Sequence, residues 1–519
     1  MKVTSGTKIN IMADRLYTSQ RTDEIISAFR AYTKLDKAIL ARMAFSYSLV
    51  QIGKSVAKSN NFSGGEMKRP TFVGSDEILL KTLLSQVYEI DTIDENDFYS
   101  NKSVIKDHVD NGALLMWEVF QKNGEDINRW YTEIVNSIQL SGGKDVKTKD
   151  LDIFIGRSVL QNNELIMSMN DTTKHANSHL AIMGKPGVGK TQFLLKLLAD
   201  IRVQSSYQTN FIFFDYKGDV VSNDTFVDVS RARTYKLLQN NETLPVSPFI
   251  LPAYSEQDIQ LSAREKAESF SSINSKFGPV QKGALTAAIV AGYAARANSE
   301  KPYPDFNDVL QIALASYEEE GKNDDTLIEV LRDLANFNLF WSHNSSVPPM
   351  DKISNRTMII DVHKMPVLKE LIGYLVIERL YKEMAAMPDS PIKDGRRTIR
   401  TILVIDEAHN YLGQKNIFLE KIIREGRSKG IVVFFASQSP SDYQQKFFNF
   451  QELLEFSYIF QSDGASAKEI QDILGCSPKT AKDLQSEIAR LEPFQVISRS
   501  MVKTEEFTKF KAEAFYKNY

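Results

Sequence analysis

The chain has 519 residues, of which 42% are hydrophobic and 25% charged, with a formal net charge of −3. That length and composition suit a globular protein of more than one domain, and the near-neutral total charge indicates no partner by itself. One cysteine, Cys476, and six histidines exclude an internal disulfide and a cysteine metal cluster, argue against a zinc site, and fit a reducing, cytoplasmic setting. The opening residues lack the apolar run of a signal peptide. The most apolar stretch, 284–295, falls short of the ~18 residues that a membrane span needs, so no membrane association is expected.

Charge is uneven along the chain. Residues 1–70 hold 12 Lys and Arg against 5 Asp and Glu, whereas residues 76–99 hold 7 acidic residues against Lys81 alone. This reads either as a polarised small domain or as a solvated surface. Ile25, Ile26, Phe29, Leu35, Ile39, Leu40 and Met43 recur at helical spacing, which predicts helix through most of 22–58. "NNFSGGEMKRP" (60–70) reads as a turn-rich basic loop. Ser75 followed by Asp76 and Glu77 suits a helix start for 75–88, and one further helix is expected over about 103–138. The polar stretch "QLSGGKDVKTKD" (139–150) reads as a linker. Residues 1–138 are thus expected to form a small all-helical domain.

After the linker the period changes. "DIFIGRSV" and "NELIMSM" suggest a short hairpin. Segments 179–184, 209–218, 356–363, 400–409 and 430–438 are short apolar strands, mostly separated by helical patterns. That alternation predicts an α/β domain, 151–519, around a largely parallel sheet, with a helical insertion at about 255–345. Segment 465–500 reads as helices returning to a last strand. There is no internal repeat or low-complexity tract.

"GKPGVGKT" (184–191) matches the phosphate-loop pattern G-x-x-x-x-G-K-[ST], follows an apolar strand and opens a helix, which is the context that confirms it. Gly184, Gly187 and Gly189 permit a backbone that turns successive N–H groups toward phosphate oxygens, and the helix N-terminus adds its positive end. The expected nucleotide site is Gly184, Lys185, Pro186, Gly187, Val188, Gly189, Lys190, Thr191 and Gln192. Lys190 is expected to reach the β- and γ-phosphates of ATP, and the Thr191 hydroxyl to ligate Mg²⁺.

"TILVIDEAH" (401–409) is an apolar strand that ends in two carboxylates. Asp406 is expected to hold the Mg²⁺ shell and Glu407 to act as general base on the attacking water. The glutamate marks the hydrolase type in which an extra strand lies between the phosphate loop and the acidic strand. Segments 209–219 and 356–363 are expected to supply such strands.

Four motifs in order, "NSHLAIMGKPGVGKT", "FFDYKGD", "LVIDEAHNYL" and "REGRSKGIVVFFASQSP", resemble the HerA/FtsK class of DNA-pumping ATPases, HerA most closely, over roughly 151–500. The resemblance implies a RecA-like core, a ring (commonly a hexamer), Mg·ATP hydrolysis between subunits and movement on double-stranded DNA. It places Gln438 at the γ-phosphate sensor position. It makes Arg427, and secondarily Arg424, candidates for an arginine finger acting on the neighbouring subunit's nucleotide. It puts Asp215, Lys217 and Asp219 on an acidic strand-end motif beside the phosphate loop, with Asp219 a candidate cap for the next element. HerA proteins usually begin with a small β-barrel, whereas this chain begins with helices. "LDKAILARMAFSYSLVQIG" followed by "FSGGEMKRPTFVGSDEILLKTLL" resembles DndE, a small helical protein of DNA phosphorothioation systems associated with nicked or duplex DNA. That implies a sequence-independent, salt-sensitive DNA surface with Lys54, Lys58, Lys68 and Arg69.

Cys476 reads as a buried small residue. Trp117, Trp130 and Trp341 read as core. His409 reads as a packing or capping residue, with a coupling role to DNA as the alternative. No nuclease constellation is visible. Two main readings follow, with a protein-remodelling ATPase as a third, against which DNA-stimulated hydrolysis would count. The first is a ring-forming, DNA-stimulated translocase in a bacterial or archaeal DNA modification or anti-phage defence system. The second is a module in which ATP assembles the ring on nicked or phosphorothioated DNA and a nuclease or other effector partner does the chemistry.

Overall fold

The computed structural model describes residues 15–89, 98–99, 104–139 (135–139 for backbone alone), 148–237, 239, 242–274, 276–345, 347–365, 368–445, 448–499 and 507–519. The chain divides into two compact units: Met1–Val146 with Asn344–Pro348, and Lys147–His343 with Pro349–Tyr519. Most of the expected linker, 140–147, lies outside the described residues.

The first unit is helical, with α1 Gln20–Thr33, α2 Lys37–Gln51, α3 Arg69–Val73, α4 Glu77–Tyr88, α5 Val104–Lys122 and α6 Ile127–Gln139. Its core is aromatic: Phe29 sits 5.4 Å from Trp117, 5.2 Å from Phe120 and 4.8 Å from Trp130. The crossing of α2 and α5 is so close that a Cβ at Gly112 would fall on the Ala44 carbonyl, which is why a glycine stands there. Three expectations need correction. The unit is not all-helical, because β1 Arg15–Tyr17 pairs antiparallel with β2 Glu66–Lys68; three-residue strands are too short to display a period of two. The single helix over 103–138 is two, broken where Gly124 (φ +69°) and Glu125 (φ +58°) turn left-handed. Ser75 does not start α4, whose cap position is Asp76, without a side-chain cap bond.

The second unit is built on an 11-stranded sheet. Its strands are β3 Asp152–Ser158, β4 Glu164–Ser168, β5 Leu180–Met183, β6 Asn210–Asp215, β7 Arg233–Lys236, β8 Met358–Asp361, β11 Thr401–Ile405, β12 Ile431–Ser437, β13 Phe456–Ile459, β14 Gln495–Arg499 and β15 Phe507–Ala512. The pair β9 Ile392–Lys393 and β10 Arg396–Arg397 forms a separate ribbon. The sheet order is β4-β3-β15-β14-β13-β5-β12-β11-β6-β8-β7. From β13 to β7 all pairings are parallel; the remaining pairings are antiparallel. The expected hairpin, β3–β4, is therefore an extension of the main sheet, joined to it by β15.

The helices are α7 Lys190–Gln204, α8 Asp224–Ser230, α9 Glu256–Ile273, α10 Pro279–Arg296, α11 Phe306–Glu319, α12 Thr326–Asn336, α13 Lys369–Ala386, α14 His409–Leu412, α15 Ile417–Lys429, α16 Ala467–Leu474, α17 Pro478–Ala489 and α18 Phe515–Asn518. Helices α9–α12 form the insertion between β7 and β8, which the buried Lys266–Glu378 pair (2.9 Å) ties to α13. The central strands bury both faces, so their apolar runs are continuous and alternate between two cores. Ile402, Val404, Val432 and Phe434 enter one core, whereas Leu403, Ile405, Val433 and Phe435 enter the other. Trp117, Trp130, Trp341 and Cys476 are buried, as expected. Among the described residues no helix is long and apolar enough to cross a membrane.

The strand between the phosphate-loop strand β5 and the acidic strand β11 is β12. It is not supplied by 209–219 or 356–363, which form β6 and β8 on the far side of β11. Chain order misled here because β12 crosses back over the sheet after β11.

His179, at the start of β5, locks this region. Its Nδ1 accepts from the Val433 N–H (3.0 Å), which leaves Nε2 as the proton-bearing nitrogen that donates to the Ile423 carbonyl (2.9 Å). Burial pushes its pKa from 6.5 down to about 4. Because the folded pKa lies below the unfolded one, the neutral ring's contribution is complete above pH 6.5 and is lost as pH falls through 4, a span of roughly 3 kcal/mol. Urea unfolding of the wild type and of His179→Gln should therefore show a stability gap that closes between pH 6.5 and 4.

Candidate active site

Gly184 (φ +147°), Gly187 (φ +80°) and Gly189 (φ +107°) take the left-handed geometry that the phosphate loop requires. A Cβ at Gly184 would meet Phe460 at 2.7 Å and one at Gly189 the Phe494 ring at 2.6 Å, so neither site tolerates a side chain. Val188 accepts the Phe494 N–H (2.9 Å), and Gln192 accepts the Tyr516 N–H (3.3 Å). Lys185 pairs with Asp463 (3.2 Å). Lys190 is buried and donates to the carbonyls of Gly184 and Lys185. Burial lowers its pKa to about 8, with the nearby Lys217 charge adding to the effect and Glu407 and Asp406 opposing it. Thr191 follows on the first turn of α7.

Register explains why the acidic residues converge. Ile405 of β11 lies beside Phe214 of β6 and Phe435 of β12, so Asp406, Asp215 and Ser437-Gln438 emerge at one sheet edge. Met183 lies beside Ser437, which brings Gly184 to the same edge. Asp406 is 3% exposed; its Oδ1 accepts the Glu407 N–H (3.0 Å), and its Oδ2 is buried without a hydrogen-bond partner among the described residues. Burial raises its pKa to about 6. An orphaned carboxylate oxygen together with the Thr191 hydroxyl is a hard-oxygen donor set that fits Mg²⁺.

Glu407 stands in the left-handed region (φ +50°), a strained position for a non-glycine residue and one typical of functional sites. Both its oxygens are engaged. Oε1 pairs with Lys217; Oε2 accepts from Gln438 Nε2 (3.0 Å) and lies 3.3 Å from His409 Nδ1. Its pKa is lowered: burial, the largest influence, raises it, but the hydrogen bonds from Lys217 and Gln438 outweigh that. His409 is therefore a partner of the glutamate, beyond the packing role expected of it. Lys217 was legible as part of a motif; the neighbouring strand ends β6 and β11 bring it to Glu407.

Asp215, fully buried, accepts the N–H groups of Lys217 (3.2 Å), Gly218 (2.8 Å), Val220 (2.9 Å) and Val221 (2.8 Å). It builds the turn that carries Lys217. Asp219 is exposed and does not cap the next helix; Asn223 caps α8 by accepting from the Phe226 N–H. Phe494 (φ +65°), strained against the phosphate loop, left no signal in the sequence beyond its aromatic character.

Arg424 and Arg427 are exposed on α15. The Arg424 guanidinium lies 4.9 Å from the centre of the Phe448 ring. Arg427, in the last turn before the left-handed Gly430, has no ion pair among the described residues. It precedes β12, whereas Gln438 follows that strand, so the two lie roughly 20 Å apart at opposite sheet edges.

In the first unit the basic residues fare unevenly. Lys54 pairs with Glu89 (3.1 Å) and Arg69 with Glu77, whereas Lys58 and Lys68 are exposed without an ion pair among the described residues. The loop that bears Lys58 is anchored on α5: the Ser59 N–H donates to Asp107 (2.7 Å) and Asn111 to the Ala57 carbonyl (2.8 Å). The exposed Lys54–Glu89 pair contributes about 0–1 kcal/mol.

Comparison with known proteins separates the same two regions. Residues 15–123 match the family described as DNA sulphur modification protein DndE, and residues 167–232 match the type IV secretion-system coupling protein DNA-binding domain. The DNA import protein CedB of Sulfolobus acidocaldarius is 23% identical over 313 residues, 59% of this chain and 46% of that protein; the chain thus spans under half the length of this relative. The structure of VirB4 of Thermoanaerobacter pseudethanolicus superposes with a TM-score of 0.54 at 16% identity, covering 70% of this chain and 96% of that one. The plasmid coupling protein TrwB in complex with ADP and Mg²⁺ gives 0.44 at 15% identity over 72% of this chain and 96% of that one. The unit that holds the phosphate loop has a RecA-like fold, and the chain resembles a HerA/FtsK-type P-loop DNA translocase with a DndE-like N-terminal region.

Proposed function

We propose that the chain is an ATP-hydrolysing, ring-forming translocase of double-stranded DNA. In this reading 1–138 is a DNA-binding domain, 139–150 a linker and 151–519 the motor, commonly a hexamer, working in the cytoplasm within a DNA modification or anti-phage defence system. The observation that carries it is the convergence of Lys190, Asp406, Glu407 and Gln438 on one sheet edge, with Glu407 held in strained backbone geometry. Lys190 and the loop N–H groups bind the β- and γ-phosphates. Thr191 and Asp406 hold Mg²⁺, which when bound offsets phosphate charge. Glu407 takes the proton of the attacking water, and Gln438, bonded to it, links phosphate loss to β12. Arg427, at the opposite edge, acts on the neighbour's nucleotide. Lys58 and Lys68, with Lys54 and Arg69 once their surface pairs exchange for phosphate, contact the DNA backbone.

The DndE match favours a second reading, in which ATP only assembles the ring on nicked or phosphorothioated DNA for a nuclease or other effector partner. ATPase rates without DNA and with intact duplex, nicked duplex and single strand, together with triplex displacement, decide between them. The translocase predicts duplex-stimulated turnover and hydrolysis-dependent displacement. Stimulation by nicked DNA without displacement selects the assembly module. A rate indifferent to every DNA overturns both.

A further inference from the structure

Lys217 is the residue of the "FDYKGD" motif that still lacks a chemical task. Its setting is built. The Asp215 carboxylate, by accepting four backbone N–H groups, fixes the turn after β6. Gly218 (φ +76°) lies where a Cβ would meet the His363 ring at 2.6 Å, so the turn has no room to slide. Lys217 therefore leaves a rigid support, with its side chain 40% exposed, and reaches Glu407. Lys190, which donates to the Gly184 carbonyl at the same strand ends, is the second ammonium group of the site. Two cations at the end of a phosphate loop suit a terminal phosphate that carries more than one negative charge.

We propose that Lys217 is a γ-phosphate ligand that exchanges partners. Paired with Glu407 Oε1, it occupies the oxygen that the attacking water needs. A γ-phosphate draws the ammonium away and frees that oxygen, while Gln438 and His409 keep the other oxygen, and hence the carboxylate plane, in place. The general base is thereby available only when the nucleotide bears a third phosphate. This rests on the P-loop reading of the site and names the group that distinguishes tri- from diphosphate.

The test measures dissociation constants for Mg·ATP and Mg·ADP in the wild type, Lys217→Met, Lys217→Arg, Glu407→Gln and the Glu407→Gln/Lys217→Met double variant. Lys217→Met should weaken ATP binding about tenfold to a hundredfold and leave ADP within about twofold. Lys217→Arg should keep the ATP preference. Glu407→Gln, which removes the competing carboxylate, should bind ATP several-fold tighter, and that gain should vanish in the double variant. An unchanged ATP-to-ADP ratio in Lys217→Met overturns the proposal, even if turnover falls, because a residue that merely places Glu407 does not alter that ratio. Equal ATP affinity in Glu407→Gln and the double variant overturns it as well. A wild type that binds neither nucleotide sinks the P-loop reading itself, a distinct outcome.

Discussion

Replacing Lys190 by alanine should cut ATP turnover by at least about a hundredfold, the scale of losing one preorganised charge at a reacting centre. Removing the charge alone should not lower fold stability. Lys190 is 7% exposed, its ammonium bonded to loop carbonyls, and burial holds its pKa down to about 8 from 10.5, so the folded protein carries this charge at a cost. At neutral pH the charged lysine opposes folding relative to a neutral side chain of the same size. Lys190→Met, which keeps the length of the side chain and drops its charge, should therefore unfold at the same temperature as the wild type or slightly higher, while its nucleotide affinity and turnover collapse as in Lys190→Ala. Calorimetry beside a steady-state ATPase assay checks both halves. A variant that loses activity and stability together would show that the lysine holds the loop rather than the phosphates.

That separation bears on what the sequence made legible. The phosphate loop is readable because its chemistry needs glycines at fixed spacing, and backbone N–H groups are presented locally. The strand β11 is readable because a continuous apolar run is a buried strand, and two carboxylates at its end, Asp406-Glu407, sit where burial would cost energy unless they served a metal or a water. Partners drawn from distant strands are not readable in this way. The Lys217–Glu407 pair joins residues far apart in the chain, and only the β6–β11 register brings them together. The same limit accounts for the misplaced intervening strand: periodicity marks β6, β8 and β12 as buried strands, but their order depends on crossovers that leave no local trace. The four-residue break between α5 and α6 hid because Asn123–Asp126 is short and polar, compatible with a helix surface. The basic residues near the start were legible as charge, yet whether a lysine is free or paired depends on a neighbour such as Glu89.

Mixed rings should recover activity that neither parent variant has. Arg427→Ala alone should reduce turnover about 10³-fold or more, the effect of removing an arginine that stabilises charge on the transferring phosphoryl group. Glu407→Gln alone should be equally inert, because it removes the base. Arg427 precedes β12, and Gln438 with the phosphate loop lies beyond its other end, roughly 20 Å away, further than an arginine side chain reaches. If Arg427 serves catalysis, it serves a neighbour. In a random equal mixture about a quarter of the head-to-tail interfaces then join an intact Glu407 to an intact Arg427, and turnover should rise to a measurable fraction of wild type. DNA binding should survive in both parents, since neither residue lies in the first unit. Arg424→Ala should lose far less, because its guanidinium already rests 4.9 Å from the Phe448 ring centre, a packing contact within its own subunit. Failure to recover at any mixing ratio, with subunit exchange verified by mass, would remove Arg427 from the site. It would leave Lys217 and Lys190 as the cations that meet the γ-phosphate, both supplied by the subunit that binds the nucleotide.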